Sequence, residues 1–178
     1  MAAERWVHAE RGREWRGRMT PQQVNQVQAS FVKVVPIASR AAALFYGRLF
    51  ETAPETRALF RGDVDAQGRK LMSALAIVVN SLGDFEAIVP VARDLAKRHV
   101  AYGVAREHYS LVGSALLWTL EQELADEFTP ALRAAWEAAY SALSEVMISS
   151  ACAVSQKPPD GTGHDAGADR DAGGGAHG

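Results

Sequence analysis

The chain has 178 residues, 48% of them hydrophobic and 22% charged, with 19 Lys and Arg against 21 Asp and Glu for a formal charge of −2. That length favours one domain over two, and the balance is that of an ordinary globular protein, neither disordered nor fibrous. The near-neutral charge gives no basic field for nucleic acid or an anionic membrane, the single cysteine, Cys152, excludes a disulfide framework and any multi-cysteine metal site, and no apolar run reads as long enough to span a bilayer.

The two ends differ from the middle. Residues 1–18 carry Arg5, Arg11, Arg13, Arg16 and Arg18 with Trp6 and Trp15 among them, and read as an appended or disordered arm. No hydrophobic stretch follows these arginines, so no secretory signal is expected and a cytoplasmic location is the expectation. Residues 155–178 hold 7 of the 15 glycines together with Pro158, Pro159 and four aspartates. Such a tail has too little apolar surface to offset the entropy of ordering and is expected to be disordered. A single folded domain is therefore expected over residues 19–154.

That domain reads as helix throughout. Thr20-Pro21-Gln22-Gln23 is a capping box with proline at the first helical position, opening a helix to about Val35. Pro36 ends it and starts a second helix with Ala42, Phe45 and Leu49 on its apolar stripe. Thr52-Ala53-Pro54-Glu55 repeats the start signal for a short helix ending near Phe60, and a polar loop with Gly62, Asp63 and Asp65 follows. Residues 66–82 carry Leu71, Leu75 and Val78 at helical spacing and close at Gly83. A helix over 85–101 has Pro90 near its beginning and Gly103 beyond its end. The next, about 106–124, holds Leu111, Ala115, Leu116 and Leu120. Thr129-Pro130 opens the last, with Leu132, Trp136, Tyr140, Leu143 and Met147. No period-two alternation with turn chemistry occurs, so the fold class is all-α, with six substantial helices and one short one.

The chain has no glycine-rich phosphate loop, no paired histidines at metal spacing and no nucleophilic serine elbow. His8, His164 and His177 fall in the two ends, leaving His99 and His108 in the domain. Counting back by four from His99 reaches Leu95 and Val91, which places the imidazole on an apolar helix face. By spacing alone it reads first as a core histidine bonded to a backbone carbonyl and second as a ligand. His108, near a helix start, reads as a partly exposed packing residue. Gln67 lies one turn before Leu71 on the inward stripe. It either turns to solvent or needs buried partners, whose lack would cost about 1–3 kcal/mol. Tyr46 sits on the apolar stripe beside Phe45, with a hydroxyl that needs a partner if buried. Together these residues describe one apolar cavity with a nitrogen ligand on one helix and polar tips on two others, and haem held by a histidine would account for all of them.

Several motifs carry a resemblance: Phe45-Tyr46-Gly47-Arg48-Leu49-Phe50, Pro54-Glu55 with Leu59-Phe60, Gln67-Gly68-Arg69-Lys70-Leu71, Lys97-Arg98-His99, His108-Tyr109-Ser110-Leu111-Val112-Gly113, and Trp136 with Tyr140. In order and spacing, over about residues 20–152, the chain resembles the globins, specifically bacterial single-domain haemoglobins related to the globin half of flavohaemoglobins. The resemblance implies a globin fold, a helical sandwich enclosing haem b. It makes His99 the proximal iron ligand and Tyr46 and Gln67 the distal polar pair, with Leu71 as the apolar wall over the gas ligand. Phe60, Leu95, Val104, Tyr109 and Val112 are implied as haem contacts. One departure stands out: that branch has a glutamate in the last helix that accepts from the proximal imidazole, and this sequence has Ala151 there. His99 is then expected to bond to a backbone carbonyl such as that of Leu95, without the push of an anionic acceptor.

The resemblance implies reversible binding of O2, CO and NO at a five-coordinate ferrous haem, with oxygen binding and delivery as the leading function. Two other readings stand beside it. One is nitric oxide dioxygenation with an external reductase, the expectation being that no flavin or nicotinamide domain follows residue 152. The other is a haem-free interaction or sensor module. Nucleic acid and membranes are not expected partners, and the chain is expected to be a monomer or homodimer.

Overall fold

The computed structural model describes residues 19–60 and 62–155; the arm at 1–18 and the tail from 156, with His8, His164 and His177, lie outside the described residues. Six α-helices account for most of them: α1 Pro21–Val34, α2 Ala38–Thr52, α3 Val64–Asn80, α4 Phe85–Ala101, α5 Arg106–Leu124 and α6 Pro130–Ser155. Short 3-10 segments at Val35–Ile37, Pro54–Leu59 and Ala125–Glu127 join some of them, and there is no strand among the described residues.

Local chemistry explains most boundaries. Thr20 Oγ1 accepts from the Gln23 amide at 3.2 Å while Gln23 Oε1 accepts from the Thr20 amide at 2.8 Å, the reciprocal capping box read in the sequence. Asp63 accepts from the amides of Asp65 and Ala66, so α3 begins at Val64, two residues before the expected start, and the acidic loop residues form its first turn. Thr52, expected to open the short helix, instead ends α2, because its hydroxyl donates back to the Arg48 carbonyl at 2.9 Å. The segment after it is a 3-10 helix whose first turn is tied down by the buried Thr56, its hydroxyl donating to the Ala53 carbonyl at 2.7 Å.

Taken by length and composition alone, Pro21–Thr52 contains a stretch of mean hydropathy 1.3 that could cross a membrane, which the sequence reading missed. In the fold the stretch is interrupted at Val35–Ile37, and its apolar residues Val27, Phe31, Phe45 and Leu49 are core. They face α6, α3 and α5: α2 packs on α3 and α5, α1 on α6, and α4 along α6. Across 106 residues of sequence, the Trp136 indole N–H donates to Ser30 Oγ at 3.0 Å, and that hydroxyl donates in turn to the Val27 carbonyl at 2.8 Å. The buried polar groups between α1 and α6 thereby satisfy one another.

Two close approaches set how near the helices come. A Cβ at Gly68 would lie 2.8 Å from the Ala42 Cβ, so glycine lets α3 reach α2. A Cβ at Gly113 would lie 2.5 Å from Cε1 of the Tyr140 ring, so glycine admits that ring between α5 and α6. Gly113→Ala should therefore destabilise the chain by about 1–3 kcal/mol, since a packed ring cannot move aside as a flexible side chain can. Urea denaturation checks this, and an unchanged midpoint would contradict the packing described.

Candidate functional site

The helices α2 to α6 surround an apolar cavity that is partly open to solvent. His99 lines it from α4, one turn above Leu95, and Val104, Tyr109 and Val112 line it after the α4–α5 corner. Leu71 closes the side formed by α3. Six of the residues named from the sequence therefore share one space: Leu71, Leu95, His99, Val104, Tyr109 and Val112.

The His99 imidazole has a fixed tautomer. Its Nδ1 lies 2.7 Å from the Leu95 carbonyl oxygen, which only accepts, so Nδ1 carries the proton and Nε2 keeps its lone pair. Burial lowers the His99 pKa below its ordinary value, and the Leu95 hydrogen bond opposes that shift. The Tyr109 ring stacks on the imidazole with centroids 6.0 Å apart and planes 21° from parallel. The Tyr140 hydroxyl donates to the Tyr109 backbone carbonyl at 2.6 Å. The corner that carries these residues turns through Gly103, at φ +78°, and closes with the Val104 amide donating to the His99 carbonyl at 2.9 Å.

His108 is more than a packing residue. It lines the same cavity, and its Nδ1 accepts from the Ala105 amide at 2.9 Å, capping α5 and leaving the ring proton on Nε2. The signal was available in the sequence, because position 108 is the third residue of its helix, where a side chain reaches back to the cap.

Tyr46, Gln67 and Phe60 lie elsewhere. They line a second cavity of about 80 Å³ with Phe50, Arg57, Gly62 and Val64, and it shares no lining residue with the first. The single cavity expected from sequence is thus two. The cause is aromatic packing: the Tyr46 ring meets Phe45 edge-on at 5.0 Å and Phe60 edge-on at 5.2 Å, and Phe50 lies 5.7 Å from both Tyr46 and Phe60. The Tyr46 hydroxyl makes only a long bond, 3.4 Å, to the Gln67 carbonyl, and burial pushes its pKa up to about 12. It is a neutral donor throughout the physiological range.

Beside the His99 cavity runs an open groove between α3 and α4, sharing Ala74 and Leu95 with it and rimmed by Arg69, Lys70 and Arg98. Asp94, also on the groove, is engaged by Lys97 at 3.2 Å. The sequence reading assigned no role to these three cations. Their i,i+3 and i,i+4 relation to inward residues was visible, but which two helices they would bring together was not.

The fold and site define an all-helical protein built round a cavity with one ligand-competent imidazole. A globin family profile matches residues 43–147, more than half of the chain, and the chain belongs to the globin family. Within that family it is related to the globin part of flavohaemoproteins. It is 35% identical over 107 residues to a flavohemoprotein of Bordetella parapertussis, covering 58% of this chain and 27% of that protein. It is 28% identical over 133 residues to one of Vibrio cholerae (73% and 34%), and 30% identical over 107 residues to one of Bacillus subtilis (58% and 27%). The chain spans about a quarter to a third of the length of these curated relatives.

The sign of the His99 shift gives a pH dependence. A histidine whose pKa is lowered by folding takes up a proton in the unfolded chain first, so its contribution is complete above its ordinary value of 6.5 and is lost as pH falls below it. Measured without added haem, the stability of the chain should decline more steeply from neutral pH to about 5.5 than that of His99→Gln. Parallel pH profiles would show that His99 is not desolvated.

Proposed function

We propose that this chain holds haem b through His99 and binds O2, and also CO and NO, reversibly at a five-coordinate ferrous haem. The observation that carries the reading is the Nδ1–H bond to Leu95, which presents an unprotonated Nε2 at the wall of an apolar cavity. No three His, Cys, Asp or Glu side chains converge among the described residues, so these residues offer no cage for a bare ion. One imidazole in an apolar wall suits an iron whose equatorial positions a porphyrin already fills. Arg69, Lys70 and Arg98 on the adjoining groove suit the two carboxylates of that porphyrin. The residues present therefore fit haem.

Haem, when bound, supplies the iron that takes up the gas. The chain does the rest. Leu95 orients the imidazole, and a neutral carbonyl acceptor leaves His99 without the electron push that a carboxylate would add. Leu71 and Phe45 exclude water from the space above. Tyr46 and Gln67 act as donors to a polarised ligand, and the long Tyr46 bond leaves that hydroxyl weakly committed. A hydrogen bond to a charged partner contributes about 1.5–3 kcal/mol, or roughly tenfold or more in dissociation rate. A second reading is supported by the kinship with flavohaemoproteins: oxidation of NO to nitrate, in which one O2, one NO and one electron from an external reductase make one nitrate ion.

Two measurements test the reading. Protein produced with haem should show a Soret band and a five-coordinate ferrous spectrum, both lost in His99→Ala; a colourless wild-type protein would refute it. Tyr46→Phe should release O2 about tenfold faster or more while barely changing CO release, because CO carries less charge. Equal acceleration of both gases would mean that the hydroxyl does not reach the ligand.

A further inference from the structure

The cavity around Tyr46 carries a cation that gas binding does not use. Among the described residues its lining contains one cation, one buried hydroxyl and an amide, with no carboxylate. The cation is Arg57, whose guanidinium carbon lies 5.0 Å from the centre of the Phe50 ring. Stacking on an aromatic face leaves the N–H edge of a guanidinium available to a partner in its own plane. Among the described residues no acid occupies that edge: Glu51 is engaged by Arg48, and Asp63 is turned onto the amides of Asp65 and Ala66. The Tyr46 hydroxyl, with its 3.4 Å bond, keeps enough freedom to donate into the same space. Gln67, on the wall, stands one turn along α3 from Leu71, which lines the His99 cavity.

We propose that this cavity docks a small monovalent oxyanion of the size of nitrite or nitrate, selected by the Arg57 guanidinium with Tyr46 as a second donor. Such an anion is flat and matches the fork of the guanidinium, whereas an apolar gas gains nothing from it. The site lies beside the haem space, with Gln67 on its wall one turn of α3 from Leu71, and as a holding site for charged ligands it deepens the haem reading above and rests on it. A focused positive charge raises the entry rate of anions by ten to a thousandfold and loses that effect in salt.

The test uses the full chain loaded with ferric haem and sodium nitrite as the probe, followed by stopped-flow absorbance. Arg57→Gln should slow nitrite association by about tenfold and remove its salt dependence, Arg57→Lys should recover most of both, and CO association with the ferrous forms should stay as in wild type. An unchanged nitrite rate in Arg57→Gln, or equal slowing of nitrite and CO, would overturn the proposal. A nitrite titration of the 15N-labelled chain without haem gives a separate reading. Saturable shifts of the Arg57 Nε–H and the Gln67 side-chain amide, absent in Arg57→Gln, support the site, and no shift overturns it. If the chain takes up no haem, the function proposed above fails while this titration still decides the anion site.

Discussion

A carbonyl oxygen can only accept, and that constraint on Leu95 organises the pocket. Because His99 sits one turn later, its Nδ1 must donate, its Nε2 must be bare, and the imidazole cannot rotate without losing the bond. Burial works in the same direction by disfavouring the imidazolium. Tyr109 stacks on the ring, and the Tyr140 hydroxyl donates to the Tyr109 backbone carbonyl. The Leu95 bond and the stacked Tyr109 ring thus both restrain the orientation of one imidazole.

The rest of the packing serves the approach of helices to that wall. Two residues without side chains allow it, Gly68 where α3 meets Ala42 and Gly113 where the Tyr140 ring enters. The aromatic cluster of Phe45, Tyr46, Phe50 and Phe60 does the opposite, filling space between the two cavities and separating polar groups from the His99 side. Catalytic and gas-binding sites commonly combine an apolar floor with a few placed donors. Here Tyr46 and Gln67 line one cavity and His99 the other.

Much of the fold was legible because helix signals are local. Thr20 and Gln23 make the capping box that their spacing implied, and Pro130 stands at the first position of α6. Where reading failed, a residue had two local uses. Thr52 has the composition of a cap, yet its hydroxyl serves the preceding helix, and Asp63 and Asp65 look like loop residues while forming the start of α3. The hydropathy of Pro21–Thr52 was underread for a similar reason, since one sequence window covers two helices with different partners.

Spacing by itself determined the all-helical class, the inward face of α4 and the relation of His99 to Leu95, because all of these follow from 3.6 residues per turn within one segment. The tertiary structure decided what no segment contains. It put Tyr46, Gln67 and Phe60 in a cavity of their own, gave His108 a place on the His99 cavity, and brought Lys70 and Arg98 onto one groove from different helices. Those outcomes depend on how closely helices approach, and that distance is fixed by the fit of side chains, such as Gly113 against Tyr140, that lie far apart along the chain.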